Sequence, residues 1–139
     1  MSATQIVQRL LMADPGVAAY ASDRVYPGRI PQEAEVPNIM VSLVSEEQDI
    51  DLSGHKDGYE SRVTIACHAE HYAIADAMGE EVKACLAQAI HLPVYGDESP
   101  PNLIATVTAW KTTTDLIDHD DERTLFRRIM DFRIRWVKP

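Results

Sequence analysis

The sequence has few cysteines and no long apolar run. Only Cys67 and Cys85 occur, and neither belongs to a CxxC pair. A secreted domain held by disulfides usually carries more cysteines, so we expect folding in a reducing cytoplasm. No stretch reaches the ~18 uninterrupted apolar residues of a membrane span, and the N-terminus lacks the features of a signal peptide. A length of 139 residues fits a single domain, residues 1–139.

Basic residues are also scarce. The chain has 13 Lys and Arg against 22 Asp and Glu, which gives a formal net charge of -9. A protein that grips DNA by neutralising phosphates needs clustered positive charge. The balance therefore argues against nucleic-acid binding and against an anionic membrane surface.

Catalytic and metal-binding motifs are missing as well. There is no GxSxG, P-loop or GxGxxG sequence. Cys67, His68 and His71 lie close in sequence, but side chains alternate along a strand, so Cys67 and His68 point to opposite faces. We expect Cys67 and Cys85 in the core, His68 exposed and His71 at a helix start. The sequence predicts no catalytic residue, no metal site and no cofactor.

What the sequence does contain is a clear alternation of helical and strand patterns. Helical spacing is present over 4–12 and 71–90, and the first of these patterns is broken by "ADPG" at 13–16. Strand patterns cover 38–45, 59–69, 103–110 and 124–137, while 46–58 and 115–122 look like polar loops. The order α-β-β-α-β-β predicts an α+β fold, an antiparallel sheet of about four strands with helices packed on one face.

Charges are separated by element. Six carboxylates stand against one lysine in 46–60, and 115–122 carries five carboxylates and no basic residue. The last segment, 123–138, carries six basic residues against one aspartate. A solvated surface with exposed ion pairs, each worth about 0–1 kcal/mol, would explain this pattern. An oligomer in which the basic face of one copy meets the acidic loops of the next would also explain it.

The stretch between the first helix and the first strand is rich in turn residues. Pro27, Pro31 and Pro37 each fix their own φ and favour an extended preceding residue, which predicts a stiff path into the strand at Asn38. An exposed turn is expected at 28–29. Arg24 and Arg29 would then be available to a partner.

This stretch carries a resemblance to a known family. "RVYPGRIP" at 24–31 is the most specific part of a pattern that resembles the phage tail completion family, whose members are tail-to-head joining or tail terminator proteins. The similarity continues through "EVPNIMVSLVS", "RVTIACHAEHYAIADAMGEEVKACL" and "RTLFRRIMDFRIRW", so it covers nearly the whole chain.

The resemblance implies a structural virion protein without enzymatic activity. Such proteins form rings, often of six copies, at the head-proximal end of the tail tube. They stop tube growth and join the tail to the head. The implied partners are further copies of the chain, the tail tube protein and head–tail connector proteins, with assembly in the host cytoplasm. DNA would pass through without specific binding, and no membrane is involved.

On this interpretation, two sets of charged residues are candidates for assembly contacts. The first set is expected on a loop that faces the lumen or the tube: Asp49, Asp51 and Asp57. The second set is expected at a subunit or partner interface: Arg24, Arg29, Asp115, Asp118, Asp120, Asp121, Arg127, Arg133 and Arg135.

Two other interpretations stay open from the sequence. A small α+β enzyme could place a site at a subunit interface, built from His68, His71 and residues of the acidic segment. A pocket with convergent polar groups would favour it. The third interpretation is a regulatory binding module encoded by a prophage.

Overall fold

A computed structural model describes residues 2–48, 58–112, 115–122 and 124–138. Among these residues no helix has the length and apolar character needed to cross a membrane. The helices and strands follow the order α1 (Ala3–Ala13), α2 (Pro15–Ala21), β1 (Val25–Pro27), β2 (Asn38–Gln48), β3 (Gly58–Ala69), α3 (Tyr72–Ala87), β4 (Leu92–Tyr95), β5 (Leu103–Lys111), β6 (Leu116–Asp120) and β7 (Leu125–Val137).

The predicted antiparallel sheet of about four strands with helices packed on one face is wrong. The described residues are mostly β and form one mixed sheet of seven strands in the order β1-β2-β3-β7-β5-β4, with β6 also paired to β7. β1 runs parallel to β2, and the other pairs are antiparallel. The sequence missed β1 and β4 because three or four residues are too few to show alternation.

β6 corrects a second prediction, since it occupies the segment 115–122 that was predicted to be a loop. β5 and β6 lie end to end along the same edge of β7. β5 pairs with 132–137 and β6 with 125–129. Between them, the Thr112 N–H donates to the Asp131 carbonyl at 3.1 Å. The two strands and β7 thus make one long hairpin, in which β5 ends at Lys111 and β6 begins at Leu116.

The other edge of β7 is paired with β3 over its full length, from Gly58 opposite Val137 to Ala69 opposite Phe126. β7 is therefore a central strand. Its alternate residues are buried together with those of β3 and of the helices in one core: Val63, Ile65, Cys67, Met130, Phe132, Ile134 and Trp136 from the strands, and Ile6, Val7, Leu11, Met78, Val82 and Leu86 from the helices. Burial of each large apolar side chain contributes about 1.5–3 kcal/mol.

The break between the first two helices is as the sequence predicts. α1 ends at Ala13, and Asp14 caps α2 by accepting a hydrogen bond from the Val17 N–H at 3.3 Å. Pro15 occupies the first turn of α2, where a missing N–H costs nothing. After this turn, α2 contacts both α1 and α3.

Candidate functional site

A buried arginine joins α3 to the long hairpin. The side chain of Arg128 is only 4% exposed. Its Nη1 donates to the carbonyl and to the carboxylate of Asp76, at 2.7 and 3.1 Å, and its Nη2 donates to Glu80 at 2.9 Å. Gly79 makes this possible, because a Cβ there would overlap the Arg128 side chain. The helix thus needs a glycine at the point where the guanidinium passes.

Asp115 also binds Arg128, and these two residues are the centre of an ion cluster whose other members are Asp76, Glu80 and Lys111. One of the Asp115 oxygens accepts from Arg128 at 2.5 Å, and the other lies 2.6 Å from Lys111 Nζ. Burial alone would raise the pKa of this carboxyl, but the hydrogen bonds and charges of Arg128 and Lys111 outweigh burial and lower its pKa. Asp115 immediately precedes β6, so the ion cluster fixes the start of β6 against α3 and β7.

Arg128 is a residue that the sequence analysis missed. It has the same parity on β7 as Phe126, Met130 and Phe132, so alternation directs it into the core. An arginine at a core position and a glycine in the middle of a helix were the two signals that could have revealed the cluster.

The exposed face of the sheet carries a row of matched charges. Arg62 pairs with Asp131 at 3.1 Å, and Arg133 pairs with Glu60 at 3.0 Å. Asp131 also accepts from the Thr64 hydroxyl at 2.7 Å. These pairs lie on directly opposed or diagonal positions of β3 and β7. Arg133, predicted at an interface, is thus engaged within its own chain.

Arg127 and Asp118 make a bidentate ion pair between β7 and β6. The two hydrogen bonds measure 3.0 and 2.7 Å, and both side chains are more than one third exposed. The hydrogen bond from Arg127 lowers the pKa of Asp118. These two predicted interface residues therefore meet each other in the isolated chain, and whether they also meet a neighbour stays a prediction.

The β6–β7 turn exposes two adjacent carboxylates, Asp121 and Glu122. Asp121 is 96% exposed and lies 2.8 Å from His119 Nδ1, and Glu122 is also exposed. Asp120 accepts from the Glu122 N–H at 3.1 Å. Arg135, at the far end of β7, is exposed as well. Asp120 and Asp121 therefore lie at the start of β7, and Arg135 lies near the end of that strand.

Two predicted residues lie in the proline-rich stretch. Arg24 is half-buried, and its guanidinium donates to the carbonyls of Pro37 and Tyr20 at 2.8 and 3.2 Å. Arg29 is exposed and follows Gly28, whose φ of 82° is the left-handed conformation that glycine favours. Arg24 thus fixes the path into β2, while Arg29 lies on the surface.

The remaining predictions concern residues of three kinds. Asp49, Asp51 and Asp57 lie outside the described residues. His68 is buried rather than exposed, because the stretch before β2 covers it.

Burial raises the pKa of both thiols, Cys67 and Cys85, to about 12, so neither is a ready nucleophile. Among the described residues, no three His, Cys, Asp or Glu side chains are placed to hold a metal ion.

Comparison with known proteins decides the family. The model of the family described as "Tail completion protein gp17" matches residues 5–136. The chain belongs to this family. The prediction made from "RVYPGRIP" and the last strand is thereby confirmed, and the protein is a structural component of a phage tail.

A solved structure supports the fold. The chain is similar to a chain in the structure titled "Virion of native gene transfer agent (GTA) particle", with a TM-score of 0.63 and 20% sequence identity. The match covers 98% of this chain and 95% of the other. A comparison with curated protein sequences gave no match.

Proposed function

We propose that this tail completion protein forms a ring, a hexamer, at the head-proximal end of the tail tube. There it ends tube growth, joins the tail to the head and lets DNA pass. The observation that carries the proposal is the family match over residues 5–136. The partners are further copies of the chain, the tail tube protein and head–tail connector proteins.

The positions of the exposed charges support a ring. The acidic turn, defined as residues 120–122, precedes β7, and Arg135 lies near the other end of that strand. At a rise of about 3.3 Å per residue, the two charged sites are roughly 33 Å apart. A contact between opposite ends of two copies joins different patches, and such head-to-tail contacts close into rings. We therefore assign the acidic turn of one copy to the Arg135 end of β7 in the next.

The overall charge supports passage of DNA. The chain carries a formal net charge of -9. Several of its basic side chains are already bound by carboxylates of the same chain, as in the Arg128 cluster and the Arg127–Asp118 pair. A ring of such subunits offers little free positive charge to phosphates, so DNA would move past it without being held.

A charge-swap experiment tests the ring contact. Purified protein is mixed with tail tubes that lack it, and capped tubes are counted by electron microscopy while native mass spectrometry gives the copy number. Asp121→Lys and Arg135→Glu should each reduce capping, because each places like charges at the contact. The double variant should restore capping. Glu98→Lys, at an exposed site outside the contact, is the matched control and should cap normally.

Two results would contradict the proposal. If the unmodified protein never caps tubes, the assigned role at the tube end is wrong. If it caps tubes but the double variant behaves no better than the single variants, the role stands and the assigned contact is wrong.

A further inference from the structure

The strand position beside β2 is only partly filled by the described residues. β1 covers β2 from Ile39 to Val41, and the chain then turns away at Gly28, whose φ is 82°. Over residues 42–48, β2 pairs with β3 on its other side and with no other described strand. The end of β2 therefore has an open edge in the described part of the chain, and an unpaired edge is a template for an added strand.

The backbone of this edge points outward at Leu43. The Ile39 N–H donates to the Arg24 carbonyl at 2.9 Å, and the Val41 carbonyl accepts from the Gly28 N–H at 2.7 Å, so both residues direct backbone groups away from β3. Because backbone groups alternate between the two edges of a strand, the N–H and C=O of Leu43 face the same open side. A groove of about 480 Å³ at the end of β1 reaches Leu43, whose side chain is exposed. An incoming strand can thus reach these groups along the line that β1 leaves at Gly28.

The charge of the edge selects the class of strand. No Lys or Arg occurs in 38–48, and the exposed end carries Glu46 and Glu47. Glu46 is opposite Ser61 and Glu47 is opposite Glu60, so the two adjacent carboxylates lie on opposite faces of the sheet. Opposite charges on neighbouring strands stabilise their pairing, and like charges destabilise it. A strand with two adjacent basic residues beside Glu46 and Glu47 therefore fits this edge on both faces.

The strands of a second copy do not meet this requirement. Pairing β2 with β2 would bring Glu46 and Glu47 of both copies onto adjacent strands. The end strands of the sheet, β1 and β4, are short and contain Pro27 and Pro93, which have no N–H to donate. β6 is acidic, and the one basic residue of β5, Lys111, already binds a carboxylate of its own chain. The occupant is therefore a strand of a different protein.

We infer that the open edge of β2, residues 42–48, binds an extended basic strand of another protein. The strand pairs through its backbone with Leu43 and through its basic side chains with Glu46 and Glu47. The open edge and its charge are properties of this chain, whereas the assignment of the strand to another component of the tail rests on the proposed function. β1 and the bound strand then share one side of β2.

The edge is tested on the isolated protein with the peptide TVTKKTVT, blocked at both ends, as the probe. In NMR titrations of the isotope-labelled protein, this peptide should give saturable shifts at residues 42–48 and should slow the hydrogen exchange of the Leu43 N–H. Two control peptides should bind more weakly at the same concentrations. One is TVTEETVT, and the other is TVTKKTVT with every backbone nitrogen methylated, which keeps the charge but has no N–H for strand pairing.

Two variants separate backbone pairing from charge. Leu43→Pro removes the outward N–H and no hydrogen bond to β3, so it should weaken the binding of TVTKKTVT. Glu47→Lys leaves one glutamate beside one lysine on the edge, so it should abolish the preference for TVTKKTVT over TVTEETVT. Glu98→Lys makes the same charge change at an exposed site outside β2 and should keep that preference.

Three results of the titrations would overturn the inference. They are the absence of a saturable shift at 42–48, equally tight binding of either control peptide, and an unchanged preference in Glu47→Lys. If the Leu43 N–H instead exchanges more slowly as the concentration of the protein alone is raised, a second copy occupies the edge and the inference is also wrong.

The occupant in the tail is tested by hydrogen exchange and mass spectrometry of capped tubes. The amides of 42–48 should exchange more slowly there than in the isolated protein. If TVTKKTVT binds but the capped tubes show no such protection, the assignment of the strand to a tail component is wrong. If the unmodified protein caps no tubes, the proposed function fails while the titration still decides the edge.

Discussion

The contact between Gly79 and Arg128 predicts that Gly79→Ala destabilises the protein when Arg128 is present and stabilises it when Arg128 is absent. In an ordinary helix, Gly→Ala stabilises by about 0.5–1 kcal/mol because alanine loses less backbone entropy on folding. In this protein a Cβ at position 79 would overlap three atoms of the Arg128 side chain. We therefore expect Gly79→Ala to destabilise the unmodified protein.

The magnitude follows from what Arg128 would lose on moving aside. It makes four hydrogen bonds to Asp76, Glu80 and Asp115. Asp76 and Glu80 are about half exposed and can bind water instead, but the Asp115 side chain is only 17% exposed. Loss of one buried charge-assisted hydrogen bond costs about 1.5–3 kcal/mol. After the helix gain is subtracted, Gly79→Ala should lower the free energy of unfolding by about 1–2 kcal/mol.

When Arg128 is removed, Gly79→Ala should stabilise the folded protein. In an Arg128→Ala background the overlap is gone, and Gly79→Ala should raise the free energy of unfolding by up to about 1 kcal/mol. Urea unfolding followed by the fluorescence of buried Trp136 measures all four proteins of the cycle. Ala84→Gly, on the exposed face of α3, is the control and should cost about 1 kcal/mol in both backgrounds. An equal effect of Gly79→Ala with and without Arg128 would refute the reasoning.

Three further predictions concern Asp115, the two cysteines and the arginines of the proline-rich stretch. Because Asp115 has a lowered pKa in the folded state, unfolding takes up protons below about pH 4. The urea midpoint of unfolding should therefore fall as pH drops from 6 to 3, and it should fall less in Arg128→Ala. Parallel pH curves for the two proteins would contradict the role of the ion cluster. Cys67 and Cys85 should react slowly with a thiol reagent at pH 8 until urea is added, since burial raises the pKa of each to about 12, and fast labelling of the folded protein would show that they are accessible. Arg24→Ala should lower the melting temperature because two carbonyls lose a charged donor, while Arg29→Ala should leave it nearly unchanged; equal melting of the two variants would argue against the structural role of Arg24.

The long elements could be predicted from the sequence because each shows many periods of its pattern. The stripe of Met78, Val82 and Leu86 is correct for α3, and the alternation of Phe132, Ile134 and Trp136 is correct for β7. β1 and β4 contain too few residues to show a pattern. β6 was missed because three of its five residues are Asp or His, and composition favoured a loop.

The candidate site was harder to predict because it depends on register. Which carboxylate meets which arginine is set by strand pairing, and pairing of distant segments is not visible in a single sequence. The sequence therefore led us to predict that Arg127 and Arg133 contact a neighbouring copy, although Asp118 and Glu60 already bind them within the chain. Arg128 was passed over because it interrupts an otherwise apolar series on β7.

The central position of β7 has a consequence for biosynthesis. During translation β3 is made long before β7, yet β7 is the strand that β3 pairs with along its full length, and β5 and β6 rest on the other edge of β7. Until residues 125–137 have left the ribosome, these three strands lack their common neighbour and α3 lacks Arg128. Such distant pairing makes folding late and slow. We therefore expect a nascent or truncated chain that ends before β7 to lack a folded sheet.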